Sequence, residues 1–137
     1  MIHIMVVEDN TADFVLFRES LKDNPNVNSL RRMKNGFEAV EYFHQNPEYL
    51  FPNLIFLDLN MPGKSGFDVL QELKQNPKTL HIPVLILTTS DDKNDIEKSY
   101  QMMANSYIVK EADFEQFQNK LWNALDYWVK TVHLFKR

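Results

Sequence analysis

The chain alternates five times between a short apolar run and a segment whose apolar residues recur every three or four positions. Consecutive apolar residues fit a strand buried on both faces, and the three-to-four spacing fits a helix with one buried side. Ile2 to Val7 is the first predicted strand. Asn10-Thr11 then caps a helix that turns Phe14, Val15, Phe17 and Leu21 inward and breaks at Asn24-Pro25. The second strand, Val27 to Met33, is the least hydrophobic, and its arginines place it at a sheet edge. Gly36 opens a helix carrying Phe37, Val40, Tyr42 and Phe43, closed near Asn46-Pro47. Leu54 to Leu57 runs straight into Asp58, and the pattern breaks at Pro62, Gly63 and Gly66. Ser65 and Asp68 have capping-box spacing for a helix that buries Phe67, Val69, Leu70 and Leu73 and stops by Asn76-Pro77. Ile82 to Leu87 is the fourth strand, with Pro83 tolerated at its start and Thr88-Thr89-Ser90 at its end. Asp91 and Asp92 precede a helix through Ile96, Tyr100 and Met103. A short strand, Ser106 to Val109, then ends in Lys110, and the last helix runs from near Asp113 to about Val132.

Regular strand–helix alternation with short loops predicts an α/β fold: a doubly wound, five-stranded parallel sheet with helices on both faces. Of the common sheet orders, five strands fit the flavodoxin-like 2-1-3-4-5. That order sets the first and third strands side by side, so Glu8, Asp9 and Asp58 converge at the carboxyl edge where ligands collect in such sheets. Thr88 arrives from the next strand and Lys110 from the one beyond. No linker, low-complexity tract or internal repeat interrupts the pattern, so residues 1–137 are expected to form one domain without an output domain.

Composition narrows the chemistry. A net charge of −4 does not suggest a nucleic-acid footprint. The absence of cysteine excludes disulfides and thiolate chemistry, and His3, His44, His81 and His133 have no ligand spacing. The opening Met1 to Val7 lacks the basic leader of a signal peptide, and no apolar run approaches the roughly 18 residues of a membrane helix, so a cytoplasmic location off the membrane is expected. With only Gly36, Gly63 and Gly66, no glycine-rich phosphate loop follows the first strand, which argues against flavin or dinucleotide binding.

One acid at a strand end is commonly a solvated loop charge, a lone threonine there is a turn residue, and a lone strand tyrosine is core. Three acids at one edge are another matter. Carboxylates about 5 Å apart repel by roughly 3 kcal/mol per pair at an effective dielectric near 20, a cost the fold does not require. A cation explains it, and oxygen donors without His or Cys select a hard ion such as Mg²⁺. A carboxylate can also attack a phosphoryl group to give an acyl phosphate, with Thr88 and Lys110 each placed to contact a phosphoryl oxygen.

Taken together, Glu8-Asp9, Asp58 with Met61-Pro62 and Gly66, Thr88 after an apolar strand, and Tyr107 three residues before Lys110 resemble the receiver domain of two-component response regulators. The likeness spans roughly Ile2 to Val132. It implies that Asp58 is the phosphoacceptor for a partner histidine kinase. It further implies that Asp9, Asp58 and the backbone carbonyl of Asn60 bind Mg²⁺, with Glu8 acting through a metal-bound water. Thr88 and Tyr107 would be the switch pair and Lys110 the phosphate partner, while Asn60 and Ser90 would tune water access and hence dephosphorylation. Family members mostly have proline in a cis peptide after the lysine; Glu111 stands there in this chain, so a trans peptide and a differently shaped loop are expected. Leu87-Thr88-Thr89-Ser90, the Asn105-Ser106-Tyr107 approach to Lys110 and the aromatic last helix resemble stand-alone regulators that partner bacterial phytochromes.

On the last helix, Phe114, Phe117, Leu121, Leu125, Trp128 and Val132 form a stripe that Trp122 and Val129 widen to about 160°, where covering a sheet takes about 100°. The excess predicts a partner surface, a homodimer through the fourth and fifth helices with Trp122 in it. The reading is a non-enzymatic receiver whose signal leaves by protein association. One alternative is a phosphorelay carrier that passes the group to a histidine phosphotransfer protein. Another is an aspartyl-nucleophile phosphatase, which resembles its family only if a second acid stands two residues after the nucleophile; that position is Asn60.

Overall fold

The computed structural model describes residues 1–135. Five parallel strands, β1 (Ile2–Val7), β2 (Val27–Met33), β3 (Leu54–Leu57), β4 (Val84–Thr88) and β5 (Ser106–Val109), form one sheet in the order β2-β1-β3-β4-β5. The helices are α1 (Thr11–Leu21), α2 (Gly36–Gln45), α3 (Gly66–Gln75), α4 (Lys93–Gln101) and α5 (Phe114–Asp126). A 3₁₀ turn at Glu48–Leu50 and a π turn at Tyr127–Thr131, neither signalled by periodicity, complete the set.

Successive strand residues point to opposite faces, which sorts the core into two layers. Met5, Val7, Ile55, Leu57 and Ile86 pack with Ala39, Phe43, Val69, Leu70 and Leu73 of α2 and α3. Ile4, Val6, Phe56, Leu85 and Leu87 pack with Phe17 and Leu21 of α1 and Phe117, Leu121 and Leu125 of α5. The register pairs Val7 with Leu57, Leu57 with Ile86, and Thr88 with Val109, so the residues that follow leave the sheet along one edge.

Local sequence ends the helices as expected. Asn10 caps α1 by accepting from the Asp13 N–H, and Ser65 and Asp68 of α3 exchange both bonds of a capping box. Gly66 is required by close approach: a Cβ there would lie 2.2 Å from the Asp58 carbonyl oxygen. Gly63, at φ +78°, occupies the left-handed region.

Several apolar positions fall elsewhere than periodicity predicts. Val15 is 37% exposed and Phe37 61% exposed. At 100° per residue they stand about 160° from Phe17 and about 120° from Phe43, on the outer sides of their helices. Met103 lies beyond the end of α4 at φ 73° and is exposed; within α4 only Ser99 is buried, its hydroxyl donating to the Asp95 carbonyl. The expected position of Trp122 in a face formed by α4 and α5 is corrected. Its indole Nε1 donates to the Ser20 carbonyl at 2.7 Å, so the ring packs across the α1–α5 seam. A residue 100° round α5 from the Leu121 line reaches the neighbouring helix before it reaches solvent. No peptide bond among the described residues is cis, Lys110–Glu111 included.

Candidate functional site

β1 and β3 end in register, which puts Glu8, Asp9 and Asp58 together: one carboxylate oxygen of each lies within 4.8 Å of the others. Glu8 is 2% and Asp58 7% exposed. Burial, joined by the charge of Asp58, pushes the Glu8 carboxyl up to about 7, against the opposing hydrogen bond from Lys110. Burial likewise raises Asp58, with the Lys110 charge opposing. Burial alone would lower Lys110, but its bond to Glu8 and the charges of Asp58 and Glu8 outweigh this and hold the ammonium above its ordinary range.

Lys110 arrives from the end of β5, where its N–H donates to the Thr88 carbonyl. Its Nζ stands 2.5 Å from Glu8 Oε1, 3.0 Å from Asp13 Oδ2 and 3.8 Å from Asp58 Oδ2. Three carboxylates therefore face one ammonium, and Asp9 stands beside two of them, so the edge carries an excess of negative charge. All-oxygen donors in that excess suit a hard divalent cation.

A polar chain runs from Asp58 along the edge. The Asn60 N–H donates to Asp58 Oδ1 at 3.4 Å, and its Nδ2 donates to the hydroxyl of the fully buried Thr88 at 3.5 Å. Thr88 Oγ1 also accepts from the Ser90 N–H, and the Ser90 hydroxyl donates to Asp95 Oδ2 at 2.7 Å. Tyr107 ends the chain, its hydroxyl donating to the Ser90 carbonyl at 2.9 Å. Burial raises that phenol, and the negative charges of Asp95, Asp92 and Asp91 add to the effect. All eight residues singled out from sequence thus lie on one edge: seven are joined by hydrogen bonds or ion pairs, and the Asp9 carboxylate stands beside those of Glu8 and Asp58.

Two contributors have no counterpart in the sequence reading. Asp13, in the first turn of α1, supplies the third carboxylate within reach of Lys110. Arg32, read as a wet edge residue, instead donates from Nε to the Glu8 carbonyl at 3.0 Å and from Nη2 to the Asp9 carbonyl at 3.2 Å. Its guanidinium also lies over the Phe14 ring. Asp13 was detectable as the acid three residues after a cap at a strand end carrying two other acids. Arg32 gave no signal, because alternation does not say which of two adjacent arginines turns inward.

The loop after Lys110 is held without proline. Glu111 pairs with Lys120 of α5 at 2.6 Å, and the same Nζ donates to the Val109 carbonyl at 2.9 Å.

Comparison with known proteins agrees with this arrangement. The profile of the response regulator receiver domain matches residues 4–122. The response regulator Rcp1 of Synechocystis is 38% identical over 134 residues, covering 96% of this chain and 91% of that protein. The crystal structure of Rcp1 in its Mn²⁺-bound form superposes with a TM-score of 0.87 at 37% identity, covering 98% of this chain and 99% of that one. The phosphorylated cyanobacterial phytochrome response regulator RcpA gives a TM-score of 0.89 at 38% identity, with 97% of both chains covered. With the sheet order, the acidic edge and these likenesses in agreement over nearly the whole length, the chain belongs to the response regulator receiver domain family.

Proposed function

We propose that Asp58 takes a phosphoryl group from a histidine of a partner kinase and that the chain passes the signal on by changing its protein contacts. The observation carrying this reading is the meeting of Asp58 with two further acids and with the Lys110 ammonium at the end of the central strand. A carboxylate oxygen of Asp58 attacks phosphorus; the P–N bond to the imidazole breaks as the P–O bond forms, and the imidazole nitrogen keeps the electron pair. Lys110 offers an N–H to one phosphoryl oxygen and the Thr88 hydroxyl another. Asp9, Asp58 and the Asn60 backbone carbonyl would hold Mg²⁺, with Glu8 reaching it through water, and the ion supplies charge neutralisation at the phosphoryl oxygens.

Thr88 would leave Asn60 as it turns to the phosphoryl group, loosening the Ser90 backbone that Tyr107 holds. Asn60 and Ser90, flanking Asp58, would set how readily water reaches the acyl phosphate. The altered surface would be the half-buried β5 with α4 and α5, where Tyr100 and Tyr127 are exposed beside Trp128. Self-association through this face is the proposed output. The likeness to RcpA supports a phytochrome-type kinase as phosphodonor. Asn60 argues against a phosphatase, since its amide cannot serve as the general acid.

Intact mass after incubation with Mg²⁺ and acetyl phosphate tests the reading, with a sizing column alongside. One phosphoryl addition is expected, dependent on the metal and lost in Asp58→Asn, together with an earlier elution volume. No addition with any donor or metal would overturn it.

A further inference from the structure

We infer that Asp13 is a positioning residue for Lys110: it holds the ammonium so that its one uncommitted N–H faces Asp58. This deepens the phosphoacceptor reading and rests on it. A lysine ammonium has three donors. One goes to Glu8 Oε1 and one to Asp13 Oδ2, both within hydrogen-bond distance, while Asp58 Oδ2 at 3.8 Å is beyond it. The third donor thus points across a gap toward the carboxylate, where a phosphoryl oxygen bonded to Asp58 would close the distance.

An acid in the first turn of a helix is ordinarily explained by the macrodipole or by a return bond to the cap. Neither accounts for the direction of this one. In α3 the carboxylate of Asp68 returns to the Ser65 N–H, completing the box. In α1 the Asp13 N–H is capped by Asn10 in the same way, but the Asn10 N–H goes to Glu8 Oε2 at 3.4 Å. The Asp13 carboxylate is thereby released from capping and spans to Lys110, 97 residues away. With a side chain 39% exposed against 10% for Lys110, Asp13 stands on the solvent side of the ammonium, opposite the buried Glu8. Glu8 alone would leave the ammonium free to swing about one bond; two acceptors from different elements fix its direction.

The experiment measures phosphorylation rate by intact mass against acetyl phosphate concentration, with Mg²⁺, for the full chain and for Asp13→Asn, Asp13→Ala and Asp13→Glu. Thermal unfolding of each variant is recorded alongside. Losing one charge-assisted contact at a partly exposed site should raise the donor concentration for half-maximal rate about threefold to tenfold. The limiting rate should change less, and Asp13→Glu should restore the wild-type value. A second readout needs no phosphorylation. Labelling of Lys110 by a small acylating reagent, in which the neutral amine attacks and its proton leaves to solvent, followed by peptide mass, should run faster by about threefold or more in Asp13→Asn, because the side chain, freed from one of its two acceptors, reaches the reagent more readily. Donor dependence and Lys110 labelling both unchanged in a folded Asp13→Asn would overturn the inference, as would a loss that Asp13→Glu fails to repair. If Asp13→Ala unfolds, the isosteric Asn variant decides. If the wild type itself takes no phosphoryl group, the phosphoacceptor reading falls, and the labelling comparison still judges Asp13.

Discussion

At the scale of single residues, the acidic edge stores unfavourable charge. Glu8 is raised from an ordinary 4.5 to about 7 because the sheet buries it next to Asp58, and Asp58 is raised by burial and by the charge of Asp9. An acid whose pKa is higher folded than unfolded stabilises the fold fully below the unfolded value, and that contribution is lost as pH rises through the folded one. Without added metal the thermal midpoint should therefore fall as pH rises from about 4.5 to about 7. A divalent cation should flatten that slope, because it stabilises the ionised carboxylates, and binding near pH 6 should release protons. Calorimetric titrations in buffers of different ionisation enthalpy would check this, and a midpoint that rises across the same window would contradict it. Lys110 does not interfere: its shift lies above the ordinary lysine value of 10.5, outside this window. Arg32, reaching the Glu8 and Asp9 carbonyls, keeps a permanent positive charge beside the acids and restrains the loop that carries them.

At the scale of elements, what was legible in the sequence follows the strength of the periodic signal. Strands of consecutive apolar residues, such as Leu54–Leu57, and helices with caps, such as Gly66–Gln75, appear where expected, since burial and capping act on neighbouring residues. Their order brings Asp58, Thr88 and Lys110 to one edge, so most of the candidate site was readable before any side chain was placed. What was not readable depends on which neighbour a side chain meets. Asp13 turns to a lysine 97 positions away, and Trp122 turns to α1. Periodicity gives the angle of a residue round its helix but not what stands there. The indole of Trp122 satisfies the carbonyl of Ser20, itself fully buried, within the chain. Trp122→Phe should thus lower stability by about 1 kcal/mol, the net worth of one hydrogen bond, and lower the midpoint by about 3–5 °C. It should leave oligomeric state alone. Sizing and thermal melts separate the outcomes: an unchanged midpoint with altered elution would return Trp122 to an interface.

At the scale of the whole molecule, the five helices are not held equally, and this decides where a change at Asp58 can travel. α5 buries Phe117, Leu121 and Leu125 against the sheet and is tied to α1 through Trp122, while α2 and α3 share the opposite core. α4 buries only Ser99, and its first turn is linked toward the site by the Ser90–Asp95 and Ser90–Tyr107 bonds. Segments with little buried apolar surface open at the lowest free energy, so α4 and the loop before it form the soft element of the fold. Amide exchange followed by mass spectrometry should show faster exchange over residues 89–103 than over α3 or α5 in the resting protein. Phosphorylation with acetyl phosphate and Mg²⁺ should change protection first in that segment and in β5, where Tyr107 lies, and least in α2. Thr88→Ala, which removes the hydroxyl joining Asn60 to the Ser90 N–H, should uncouple the two by letting Asp58 be modified while residues 89–103 keep their resting exchange. A response of equal size in α2, or one that survives Thr88→Ala unchanged, would mean that the signal leaves the site by another route than the β4–α4 loop.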